Sequence, residues 1–187
     1  MRVISGIYKG RRLQSGNDLS IRPTTDRVKE YIFNILQDFP ENICVADIFA
    51  GSGNLGIEAL SRGAHHVVFV EKSIKSIQVL KKNIAGVGID ASSYSILNLS
   101  ANDFVKYNHK NIMLYLLDPP FNYPSLQFLI DSLITSDNFH TGNLLVLEHE
   151  VSNPIILTDN DNYRVLKQKK MGRSLISFLE KGAIYEG

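Results

Sequence analysis

Asp47-Ile48-Phe49-Ala50-Gly51-Ser52-Gly53-Asn54-Leu55-Gly56 follows directly on the apolar run 43–46. A short apolar run reads as a buried strand, and the glycines that end it read as a tight turn opening a helix. Glycine at 51 and 53, with Ser52 between them, lets the main chain approach a ligand with no Cβ in the way, while the next helix presents free amides. Gly51, Gly53 and Gly56 keep the G-x-G-x-x-G spacing, and Glu71 stands twenty residues beyond Gly51, where an acid accepts ribose hydroxyls. The stretch therefore predicts a nucleoside-bearing cofactor, with NAD and S-adenosylmethionine both open.

Outward from this turn, short apolar strands alternate with helical patterns, the sequence form of right-handed βαβ units around a mostly parallel sheet. Strands are expected at 43–48, 67–70, 94–97, 112–117 and 144–147. Helices are expected at 55–62, stopped by Gly63, after Ser73 with Ile74, Ile77, Lys81 and Ile84 in one stripe, near Asn102, and around 125–133. Segments 163–169 and 174–179, joined around Gly172, read as an antiparallel hairpin closing a seven-stranded sheet. A parallel sheet finished in this way resembles the Rossmann-like class I S-adenosylmethionine-dependent methyltransferase fold more than a dehydrogenase. Residues 1–24 read as a basic arm or small hairpin. Thr24 or Thr25 then starts a helix with Val28, Tyr31, Ile32, Ile35 and Leu36 on one face. The expectation is one methyltransferase domain over 1–187, with 25–187 as the helix and cofactor core.

Asp47 favours S-adenosylmethionine, because a strand-end carboxylate suits a cationic amino-acid moiety better than a pyrophosphate. Glu71 is expected on the ribose and Ser100-Ala101 near the adenine, with Asp103 as the alternative. Asp118-Pro119-Pro120-Phe121 closes another apolar run and suggests methyl transfer to a base amine. An exocyclic amine has its lone pair delocalised into the ring, so an enzyme must position and polarise it. Asp118 accepts one amine hydrogen and the Pro119 carbonyl another, which draws the lone pair toward in-line attack. Proline fixes φ and adds no competing donor. Phe121 stacks on a base flipped from its helix.

With 187 residues and 44% hydrophobic content the chain fits one globular domain. No apolar run approaches the ~20 residues that cross a bilayer, and no apolar segment follows Arg2 as in a signal peptide, so a cytoplasmic protein is expected. The single cysteine, Cys44, excludes an internal disulfide and a cysteine-based zinc site, and is expected in a core strand. It lies upstream of the glycine turn, which disfavours cytosine-C5 methylation through a cysteine nucleophile. His65, His66, His109, His140 and His149 have no zinc spacing and read mostly as surface or loop residues, with His149 in Glu148-His149-Glu150 the one that stands apart, so no metal is expected. Charge is polarised: residues 1–30 hold seven basic and three acidic side chains, leaving thirteen basic and sixteen acidic for the remainder. Arg2, Lys9, Arg11, Arg12, Arg22, Arg27 and Lys29 are candidate phosphate contacts, with Lys167, Lys169, Lys170 and Arg173 as a second cluster.

Arg2-Val3-Ile4-Ser5-Gly6 with Lys9-Gly10-Arg11-Arg12-Leu13, then Arg22-Pro23-Thr24-Thr25-Asp26-Arg27-Val28-Lys29-Glu30, the glycine motif, Glu71 and Asp-Pro-Pro-Phe together resemble the bacterial RsmD-type 16S rRNA guanine-N2 methyltransferases. The resemblance implies S-adenosylmethionine as donor. It also implies one guanine amine of 16S rRNA as acceptor, within an assembling or assembled 30S subunit. Monomeric action is the default. The family often has tyrosine where Phe121 stands and Asp or Asn where Ser100 stands. The tetrad alone leaves an adenine-N6 nucleic-acid methyltransferase open. From other classes come a non-catalytic RNA-binding assembly factor with a methyltransferase fold and, more distantly, an NAD-dependent oxidoreductase.

Overall fold

Strand β1 (Cys44–Ile48) is an interior strand of the sheet found among the described residues and is apolar along nearly its whole length, because helices cover it on both faces. In the computed structural model, which describes residues 1–15, 25–36, 41–106, 111–121, 123–153, 155–157 and 162–182, seven strands run in the order β3-β2-β1-β4-β5-β7-β6. The flanking strands are β2 (His66–Val70), β3 (Tyr94–Leu97), β4 (Ile112–Leu117) and β5 (Leu144–Glu150), all parallel to β1. The last two, β6 (Tyr163–Met171) and β7 (Ser174–Lys181), are antiparallel, and β7 rather than β6 pairs with β5. The expected hairpin is thus present, with its second strand inserted beside the parallel set.

Side chains alternating along the strands divide the interior into two cores. Val45, Leu114, Leu116 and Val146 face one side, with α1 (Asp26–Ile35), α2 (Asn54–Ser61) and α3 (Ile74–Val87). Ala46, Ile48, Tyr115, Leu117 and Leu145 face the other, with α4 (Ala101–Val105) and α5 (Leu126–Ile134). Sheet order reverses between β1 and β4, which opens a crevice at their carboxyl ends.

Local signals set the helix ends. Thr25 Oγ1 accepts from the Val28 amide at 3.3 Å and starts α1, and Ser73 Oγ does the same for Ser76 at 3.3 Å on α3. On α1 the buried face is Val28, Lys29, Ile32 and Phe33, with Tyr31 and Ile35 only partly covered. Strand β5 runs three residues past the expected end. Glu148, His149 and Glu150 are polar, yet they are buried against the start of β7, pairing with Ile176, Leu175 and Ser174.

The amino-terminal segment is a packed hairpin rather than a free arm. Arg2 and Arg12 form an antiparallel bridge, the Val3 amide donates to Arg11 O at 2.9 Å and Gly10 returns one to Val3 O at 2.9 Å. Val3 and Leu13 are buried in the first core. Glu58 of α2 accepts the amides of Ile4 and Ser5 at 2.7 and 3.0 Å. Gly6 (φ 81°) passes so close to α2 that a Cβ there would lie 1.6 Å from Ser61 O.

Candidate active site

Around the crevice, the ends of β1, β2 and β4 and the start of α4 enclose a cavity of about 280 Å³. Its lining brings together six residues chosen from the sequence: Gly51, Glu71, Ser100, Ala101, Asp118 and Pro120. Phe49 and Tyr123 line it too, their rings edge-on with centroids 4.9 Å apart. Both were overlooked in the sequence. Phe49 lies inside the glycine motif at φ 67°, unusual for a non-glycine residue, and Tyr123 is the second aromatic residue just after the tetrad.

The three motif glycines face different ways. At Gly51 a Cβ would meet only Phe49 O, at 3.8 Å, so the outer side of the turn is open to a ligand. At Gly53 it would lie 2.3 Å from Leu80 Cδ1 and at Gly56 2.3 Å from Phe69 Cε1. Those two glycines let α2 pack closely on α3 and β2, and neither is among the cavity-lining residues. Ser52 is also turned to framework: its carbonyl accepts from Asn83 Nδ2 at 2.8 Å, and Asn83 Nδ2 also donates to Gln14 O at 3.0 Å.

Glu71 is held from below. Its Oε2 accepts the Gly51 amide at 2.9 Å and Oε1 accepts the Ser73 amide at 2.8 Å, leaving each oxygen a further lone pair for a hydroxyl. An oriented acid, an open glycine and the apolar Phe49, Leu99 and Ala101 in one cavity fit a nucleoside. Ser100 caps α4: Oγ accepts from the Asp103 amide at 3.1 Å and donates to Asp103 Oδ2 at 2.6 Å. Both candidate adenine neighbours are thereby tied to each other.

Two expectations are corrected. Asp47 is 1% exposed and turned inward, its Oδ2 accepting the Gly56 amide at 2.9 Å. Burial pushes its carboxyl up to about 7, against the pull of the Gly56 amide and with a smaller push from Glu71. A side chain so enclosed joins the turn to its helix rather than standing open at the strand end. Lys29 is likewise no surface cation. Its Nζ is fully buried, 3.3 Å from Glu58 Oε2, and donates to Arg2 O at 2.6 Å and Asn54 Oδ1 at 2.7 Å. Burial lowers its pKa, with Glu58 opposing.

Among the other basic candidates, Lys9, Arg11, Arg12 and Arg27 are exposed. Arg2 is exposed but lies 3.4 Å from Asp26. Arg22 lies outside the described residues. In the tetrad, Asp118 is half-buried and with Pro120 lines the cavity, whereas Pro119, buried, and Phe121, half-buried, are not among its lining residues. The Arg173 guanidinium sits 5.8 Å from the Phe121 ring centroid and is held by Glu150, whose Oε1 accepts from Arg173 Nε at 3.0 Å. That bond is the main reason the Glu150 carboxyl titrates below its usual range. His149 is buried. Its Nδ1 contacts Glu150 O and Asn153 O at 3.1 and 3.2 Å, and burial lowers its pKa. It braces the 150–153 turn that reaches Phe121 O through Asn153 Nδ2 at 3.4 Å.

A parallel sheet that reverses order at β1 and β4 and takes an antiparallel strand beside β5 is the architecture of the class I S-adenosylmethionine-dependent methyltransferases. The model of the family described as Conserved hypothetical protein 95 matches residues 1–180. A Haemophilus influenzae relative named ribosomal RNA small subunit methyltransferase D is 37% identical over 175 residues, covering 92% of this chain and 89% of the relative. The Escherichia coli protein of the same name is 33% identical over 173 residues, covering 92% and 86%. The solved structure of yhhF from Escherichia coli superposes with a TM-score of 0.84 at 30% identity, covering 98% of both chains. The chain belongs to this family, the RsmD-type group that its motifs resemble. The structure of SMU.776 complexed with SAH shares the fold alone, with a TM-score of 0.69 at 12% identity over 86% of this chain and 50% of that one.

Proposed function

We propose that this protein transfers a methyl group from S-adenosylmethionine to the exocyclic N2 amine of a guanine in 16S rRNA, in the cytoplasm and as a monomer. One observation carries the reading. Asp118 and Pro120 of the tetrad line the same cavity as Gly51 and Glu71 of the cofactor turn, so donor and acceptor chemistry share one enclosed space. Relatives named ribosomal RNA small subunit methyltransferase D supply the rRNA part of the proposal.

In this reading Glu71 receives the ribose hydroxyls, charge-assisted acceptance contributing ~1.5–3 kcal/mol, and Gly51 admits the cofactor main-chain side. Phe49, Leu99 and Ala101 enclose the adenine. When bound, S-adenosylmethionine supplies an activated sulfonium methyl. Asp118 and the Pro119 carbonyl each accept an amine hydrogen, which localises the nitrogen lone pair and aims it. Phe121 offers a stacking face worth ~1–3 kcal/mol, enough to offset much of the few kcal/mol that base extrusion costs. After transfer the amine carries one proton too many and loses it from nitrogen, with Asp118 the nearest designated acceptor. Phe121 keeps the stacking face without the hydroxyl that a tyrosine would bring.

The test is transfer of labelled methyl to 16S rRNA and 30S particles from cells lacking the activity, followed by nucleoside mass spectrometry. N2-methylguanosine is the expected product. N6-methyladenosine as the sole labelled nucleoside would replace guanine by adenine. No transfer to either substrate would leave the RNA-binding assembly factor as the reading.

A further inference from the structure

A second opening, about 670 Å³ in volume, lies between α1 and the turn of the β6–β7 hairpin. One wall carries Arg27, Tyr31 and Asn34 of α1. The other carries Lys169 and Lys170 of β6, followed by Gly172 at the turn. We infer that this groove holds the phosphate backbone of the RNA strand flanking the target nucleotide, an inference that rests on the rRNA reading above.

Three arginines elsewhere on the surface are neutralised by carboxylates. Arg2 pairs with Asp26, Arg62 with Glu58 and Arg173 with Glu150. Arg27, Lys169 and Lys170 are exposed, and none has an acidic partner within ion-pair distance among the described residues. Glu30 is in the same lining and pairs with none of them. Three exposed, unneutralised cations on two facing walls, outnumbering one acid, are a site for a polyanion rather than a structural network. Edge strand β6 also has room for this: Lys167, Lys169 and Lys170 are all exposed along it, and nothing in the sheet pairs its outer edge.

Continuity with the acceptor ring gives the groove its direction. Arg173, one residue past Gly172, lies over Phe121, so a strand leaving a base stacked at Phe121 passes Arg173 and enters the cleft. Tyr31 lines the wall beside that path.

The test uses the full-length chain, with 16S rRNA transcribed in vitro as the probe. Lys169→Glu with Lys170→Glu is compared with Lys81→Glu plus Lys82→Glu, two exposed lysines on α3 away from the groove. Calorimetry with S-adenosylmethionine checks that each variant retains its fold. The groove variant is expected to bind RNA about tenfold more weakly at low salt, with a log–log salt slope shallower by roughly 1.5, as for two lost phosphate contacts. The α3 variant is expected to keep the parent slope. Parent-like affinity and slope in the groove variant would overturn the inference even if the parent forms N2-methylguanosine. If the parent methylates no rRNA while the groove variant still loses RNA affinity, the functional reading falls and the groove stands.

Discussion

The amino-terminal hairpin and the β6–β7 hairpin are both basic in sequence, yet they meet the helices beside them differently: the first is packed down on α2 and α1, the second stands off α1 across a groove. In the first, main-chain amides are stitched to Glu58 and Ser61 of α2, and Lys29 from the adjoining α1 is buried against Glu58. In the second, Lys167, Lys169 and Lys170 project from an edge strand into solvent and the α1 groove. A lysine count cannot separate a cation that holds the fold together from one that waits for a phosphate. What separates them is whether an acid on another element has been buried to meet it.

The contrast breaks most visibly at Lys29. Lys29→Ala removes the ammonium from buried Glu58, which keeps the Arg62 guanidinium and two amides, and leaves Arg2 O and Asn54 Oδ1 without that donor, so it is expected to cost about 3 kcal/mol in chemical denaturation. Its effect on the salt slope of RNA binding is expected to be nil in whatever fraction remains folded. A change in slope matching that of the Lys169 and Lys170 pair would return Lys29 to the RNA surface.

Asp47 and Asp118 repeat the comparison for carboxylates, one shut inside the turn and one on the cavity wall. Asp47's folded-state pKa is about 7 against an ordinary 3.8, so the native state holds a proton that the unfolded chain releases. The associated stability is complete below pH ~4 and is lost as pH rises toward 7, by at most about 4 kcal/mol. Asp47→Asn keeps an acceptor for the Gly56 amide and is expected to flatten this part of the stability profile. An unchanged slope between pH 4 and 7 would show that Asp47 is not the group responsible.

A smaller effect sharpens the account of the first hairpin. Gly6 and Gly10 share positive φ, 81° and 84°, but a Cβ at Gly6 strikes Ser61 O while one at Gly10 meets nothing within 4 Å. Gly6→Ala is expected to cost roughly 3 kcal/mol and Gly10→Ala about 1, the difference reporting overpacking and the remainder backbone strain. Equal costs in thermal unfolding would mean that the hairpin does not sit tightly on α2.

Much of this was legible in the sequence where local chemistry decides local structure. Apolar runs gave β1 to β4 within a residue, and Thr25, Ser73 and Gly63 punctuated the helices as side-chain capping and left-handed φ require. The glycine turn and the tetrad were legible as two strand ends, and the pairing of β1 with β4 makes those ends neighbours. What escaped was tertiary. Glu148-His149-Glu150 has a polar composition, and only the pairing with Ile176, Leu175 and Ser174 of β7 makes it strand. Lys29 falls within the apolar stripe of α1 by position but not by residue type, so charge outvoted periodicity. Asp47 looked available because nothing local reveals that α2 folds back to offer it the Gly56 amide. Phe49 and Tyr123 carry no pattern of their own and become partners only across the cavity.

The central claim, that the β4 tetrad and the β1 turn work as one site, is tested most directly by Asp118→Ala, assayed for labelled methyl transfer to rRNA and, in parallel, for S-adenosylmethionine binding by calorimetry. Loss of the amine acceptor is expected to lower turnover about 10²–10³-fold while cofactor affinity stays within about twofold. Turnover equal to that of the parent would contradict the role assigned to the tetrad.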